Sequence, residues 1–128
     1  MLTEKDYCDY ETCVALRELG YNYPQRLIPD YFGVFNEPQY DEKIHLYDAQ
    51  KWLREEKGIF SDIGLFNDGA FYYCIRQKKN NYWAEIYRSF FHDDLFDDYG
   101  KFESYEEALS EGIKAAINIL KENETIHG

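Results

Sequence analysis

The stretch IFSDIGLFNDGAFYYCIRQ, residues 59–77, constrains the fold more than any other part of the chain. Two runs rich in β-branched and aromatic residues flank Asn67-Asp68-Gly69, and that order is a strong signal for an antiparallel hairpin. A third run, YWAEIYRSFF, follows the turn-like Lys78-Lys79-Asn80-Asn81. Together the three predict a meander. Such a sheet needs cover on one face, and the rest of the chain supplies helical patterns for it.

The clearest pattern is SYEEALSEGIKAAINIL, residues 104–120. Tyr105, Ala108, Leu109, Ile113, Ala116, Ile117 and Leu120 recur at the three- and four-residue spacing of one helix face. Ser104 stands as N-cap with Glu107 three residues on, a capping box, and Glu106 also favours the positive end of the helix dipole. Gly112 falls on the apolar stripe, where glycine costs about 1 kcal/mol against alanine, so the helix is expected to press closely on the sheet there. DYETCVALRELGYN gives a second, shorter helix, capped by Asp9 and ended by Gly20. YDAQKWLREEKG gives a third, with Ala49, Trp52 and Leu53 on one side and a stop at Gly58.

The expected architecture is therefore α+β: an antiparallel three- to four-stranded meander packed by about three helices, the fourth strand a short one at Lys101 and Phe102. A length of 128 residues fits a single domain, 1–128, with residues 123–128 a frayed tail. Pro24, Pro29 and Pro38 interrupt residues 21–46, where YFGVF and KIHLY are expected to pair as a short hairpin with His45 in a strand.

In the third strand of the meander, Tyr82, Ala84, Ile86 and Arg88 alternate with Trp83, Glu85, Tyr87 and Ser89. The set with Ala84 and Ile86 is expected to face the helices, which turns Trp83 and Tyr87 outward. Outward aromatic rings are interface anchors, so Trp83 and Tyr87 are candidate protein-binding residues. The acidic run HDDLFDDYG adds Asp93, Asp94, Asp97 and Asp98 to that candidate surface. Its carboxylates come as two adjacent pairs, not at the alternate positions of an EF-hand loop, so a solvated loop and no metal site are expected.

Acidic residues number 25 against 14 basic, a net charge of -11, which repels phosphate backbones and anionic membranes. Direct nucleic-acid binding is not expected. The start, MLTEKDYCDYET, has neither a basic n-region nor an apolar h-region, and no apolar run is long enough to cross a bilayer. Cys8, Cys13 and Cys74 form no CxxC pair, and their odd count argues against a closed disulfide framework. These features lead to a reduced, cytoplasmic protein with no membrane attachment. Phosphate-loop, dinucleotide-binding, zinc-protease and nucleophile-elbow motifs are absent, so no catalytic residue and no cofactor are assigned. Cys74 would be a nucleophile only if His45 or His92 approached it as base, and nothing local supports that.

The pieces DYETCVALRELGYN, YDAQKWLREEKGI and SYEEALSEGIKAAINIL, in that order, resemble a group of small proteins encoded in prophages and mobile elements of Bacteroides-type gut bacteria. The resemblance implies an order of helix, irregular segment, helix, strands and helix, and carries over no site, because no activity is established for the group. GKFESYEEALSEGIKAAI is also similar to the strand-to-helix end of HicB-type antitoxins, whose basic DNA-binding segment has no counterpart here.

The leading expectation is a non-enzymatic phage or mobile-element accessory protein that binds another protein, with homodimerisation through the aromatic sheet as one form of that interface. One alternative is an acidic DNA mimic that occupies the nucleic-acid site of a host protein. The other is a small enzyme using Cys74 or the acidic loop.

Overall fold

The computed structural model describes residues 4–23, 28–30, 39–41, 43–90 and 100–127. One turn of 3-10 helix, Glu4–Asp6, precedes α1 (Tyr10–Glu18), β1 (Ile28–Asp30), β2 (Gln39–Asp41), α2 (Leu46–Lys57), β3 (Ile59–Leu65), β4 (Phe71–Lys78), β5 (Trp83–Arg88) and α3 (Tyr105–His127). The fold is α+β, as the sequence predicts.

β3, β4 and β5 form the antiparallel meander in chain order. The first turn closes as its residues require: Gly69 takes a positive φ of 90°, and the Asp68 carboxylate accepts the Ala70 N–H at 3.0 Å. Ile59 pairs with Gln77 and Leu65 with Phe71, without a slip between them. Phe102 adds one bridge to Phe71, with backbone hydrogen bonds of 2.8 Å in both directions. The expected fourth strand is thus a single bridge.

Because side chains alternate across a strand, this register puts Ile59, Ser61 and Ile63 on one face together with Ile75 and Tyr73. Both α2 and α3 lie over that face. Leu46, Ala49, Trp52 and Leu53 of α2 and Leu109, Ile113, Ala116 and Ile117 of α3 are buried there with Ile59 and Ile75. Burial of a leucine or isoleucine stabilises by roughly 1.5–3 kcal/mol, so this cluster is the main source of stability. α1 joins the same core through Cys13, Ala15 and Leu16 and touches α3.

Gly112 meets the sheet as expected. A Cβ built there would lie 3.1 Å from Tyr73 Cβ and 3.3 Å from Ser61 Cβ. The buried Ser61 hydroxyl donates to the Gly112 carbonyl at 2.8 Å, and the Ser61 carbonyl accepts from Gln50 Nε2 at 2.6 Å. One strand residue therefore ties α2 and α3 to β3 without leaving a polar group unpaired.

Two expectations change. Of KIHLY only His45 pairs as a strand residue would, in a single antiparallel bridge to Tyr7; Leu46 opens α2, and the short antiparallel pair among the described residues is β1 with β2, Ile28 opposite Asp41. YFGVF lies outside the described residues. His45 is the N-cap of α2, its Nδ1 accepting the Tyr47 N–H at 3.1 Å, because an imidazole nitrogen two residues away can take up an orphan donor of the first turn. α3 continues to His127.

Candidate functional site

The face of the meander turned away from α2 and α3 is the candidate site. No described helix packs on it. Phe60 and Asp62 of β3, Tyr72, Cys74, Arg76 and Lys78 of β4, and Trp83, Glu85 and Arg88 of β5 share it by register.

Trp83 stands at one end, its ring 6.1 Å from that of Phe60 in an edge-on arrangement, with the Arg54 guanidinium 5.5 Å over the Phe60 ring. At the other end Phe66, Tyr72 and Phe90 form a mutual cluster with centroids 4.7, 4.8 and 4.9 Å apart. The Tyr72 ring lies across Gly64, whose missing side chain leaves the room. Between the aromatic ends runs a polar band. Asp62 accepts from Arg76 Nε at 3.2 Å, and Glu85 is gripped by Arg88 through Nε and, at 2.8 Å, through Nη2. A forked pair of this kind fixes both side chains.

Cys74 lies within that band, 4% exposed, and donates its thiol to Glu85 Oε1 at 2.9 Å. Burial, and then this bond to a carboxylate, push the thiol up to about 12. Glu85 is drawn down to about 2, first by Arg88 and then by Cys74. A thiol held protonated against an anion is the reverse of an activated nucleophile. His45 sits on the helix layer at the start of α2, and His92 lies outside the described residues.

Trp83 faces outward, as its alternation predicts. Tyr87 does not share its face. Ile75 pairs with Tyr87 but Arg76 with Glu85, so Ile86 is an extra residue in β5, a β-bulge that turns Tyr87 to the helix side. There its ring stacks on Tyr73 at 6.1 Å, while its position on the sheet edge leaves it 46% exposed. The same bulge leaves Ile86 40% exposed instead of covered by a helix, and puts Arg88 opposite Cys74 on the outer face. Asp93, Asp94, Asp97 and Asp98 lie outside the described residues.

Sequence reasoning passed over Phe60, Tyr72 and Arg76, although alternation along β3 and β4 opposite Ile59 and Ile75 would have found them. It also passed over an open cleft of about 770 Å³ between the start of α1 and the first turns of α3, which includes Lys5, Cys8, Cys13, Arg17, Lys43 and Glu107 in its wall. Among the described residues no cluster of three or more metal-ligating side chains occurs, and no helix is long and apolar enough to cross a membrane.

Comparison with protein-family models, with curated proteins and with solved structures finds no match to this chain.

Proposed function

We propose that this chain is a non-enzymatic binding module, an accessory protein of a phage or mobile element, whose outer sheet face takes up an extended, carboxylate-bearing segment of a partner protein. The observation that carries this reading is the make-up of that face. In a chain of net charge -11, Arg76, Lys78 and Arg88 stand against Asp62 and Glu85 among the described residues of that face, the Arg54 guanidinium of α2 reaches over the Phe60 ring, and Trp83 and Phe60 provide an apolar anchor beside them. Aromatic and arginine side chains are the residues that dominate binding energy at protein interfaces. The local excess of cations complements an acidic partner. Among the described strands none pairs with the outer edge of β5, and strand addition is one mode by which an extended segment would engage it.

The test is capture of partners from a nuclease-treated lysate of the source organism by the wild-type chain, Trp83→Ala and Tyr10→Ala, with washes at low and high salt. Tyr10 is 80% exposed on α1 and serves as the control. The proposal expects a partner that survives high salt, is lost with Trp83→Ala and is kept with Tyr10→Ala. A partner indifferent to Trp83 and lost at high salt would instead support an acidic mimic of nucleic acid.

A further inference from the structure

The cleft beside α1 holds chemistry that the outer face does not use. Cys8 lies just before the helix, hydrogen-bonded through its N–H to the Ile44 carbonyl at 2.8 Å, and Cys13 lies in the first turns of α1. The Cys13 thiol donates to the Cys8 carbonyl oxygen at 3.6 Å, and the two thiols influence each other's titration. Both are almost fully buried, at 4% and 3% exposure, yet both contribute to the wall of the cleft, so a small molecule reaches them and a large one does not. Arg17 and Lys43 stand in the same wall.

We propose that Cys8 and Cys13 form a peroxide-reactive dithiol site that closes to a reversible disulfide. Cys13 is the attacking sulfur. Its thiol is lowered below the ordinary range, first by the hydrogen bond from Cys8, which outweighs burial, and then by the Ile44 backbone and the Arg17 charge. Cys8 is held above that range by the same hydrogen bond and by burial, so it keeps its proton and acts second.

The Cys13 thiolate attacks one oxygen of hydrogen peroxide, the O–O bond breaks, and the departing hydroxide takes up a proton as water. Cys13 is left as the sulfenic acid. Cys8 then attacks that sulfur, an S–S bond forms, and the S–OH oxygen leaves with the Cys8 proton as a second water. Two thiols and one peroxide thus give one disulfide and two waters. A small thiol reductant reverses it by exchange. Cys74 is the internal control, buried on the opposite face of the sheet and bonded to Glu85.

Residues 6–17, DYCDYETCVALR, form one tryptic peptide that carries both cysteines, and Cys74 falls in another. Full-length protein is treated with hydrogen peroxide, the remaining thiols are alkylated after unfolding, and both peptides are mapped. The expected result is a loss of titratable thiols from three to one per chain, with the peptide 6–17 lighter by about 2 Da, restored by dithiothreitol. Its thiols should be lost roughly tenfold faster than Cys74 or more. In Cys8→Ser, dimedone should trap a sulfenic acid on Cys13, and Cys13→Ser should leave Cys8 reduced. Three thiols surviving in the wild-type chain, or equal loss at Cys74, would overturn the proposal without any variant having to fold.

Discussion

Asp9 carries more than its position at a helix end suggests. Its carboxylate accepts the Thr12 N–H at 2.8 Å and meets Lys114 Nζ of α3 at 3.0 Å, so one side chain both caps α1 and fastens it to the core helix. The Thr12 hydrogen bonds, then Lys114, lower its carboxyl from 3.8 to about 2 against the opposing cost of burial. A depressed carboxyl stabilises the fold fully above its unfolded value near 4 and loses that contribution as pH falls through about 2. Asp9→Ala should cost about 1 kcal/mol near neutral pH by urea unfolding, and the difference from wild type should shrink at about pH 2. An undiminished difference there would mean that the charge contributes nothing. Gly112 fills the opposite role, a residue that must be small. With Tyr73 and Ser61 at 3.1 and 3.3 Å from any added Cβ, Gly112→Val should destabilise by about 1–3 kcal/mol even though valine removes a flexible glycine.

At the scale of elements, legibility tracked locality. α3 was readable from its own residues: Ser104 Oγ accepts the Glu107 N–H at 3.1 Å, and the stripe from Ala108 to Ile117 is the buried face. The first hairpin was equally plain, since Asn67-Asp68-Gly69 states its own turn. β5 was only half readable. Trp83 kept the outward face its alternation assigned, but the bulge at Ile86 is a property of pairing with β4 and has no signature within YWAEIYR. His45 was missed for a related reason: histidine next to Ile44 looks like a strand, and only the start of α2 at Leu46 makes it a cap. The candidate face drew on two strands whose alternation was legible and a third whose register was not. Beyond the bulge, the buried Ser89 hydroxyl accepts the Tyr73 N–H at 3.1 Å and donates to the Gly100 carbonyl at 2.7 Å, anchoring the end of β5 to the segment before α3. Ser89→Ala should therefore cost about 1–3 kcal/mol in chemical denaturation, more than a serine on an exposed strand.

Over the whole molecule, the charge is unevenly placed. In a chain of net charge -11, Arg76, Lys78 and Arg88 share the outer face of the sheet with Asp62 and Glu85, beside Trp83 and Phe60, and the apolar core lies on the other face. On the proposed reading, these cations would steer an acidic segment to the outer face. Lys78→Glu, at the exposed rim, should slow association with the captured partner and alter its salt dependence, with little change in dissociation, as read by surface plasmon resonance. The most direct measurement is site-specific photocross-linking: benzoylphenylalanine placed at Trp83 and, separately, at Tyr10, each irradiated in lysate of the source organism. The account predicts a discrete protein adduct from position 83 that is absent from position 10. Adducts of equal yield from both positions, or one from position 10 alone, would contradict it.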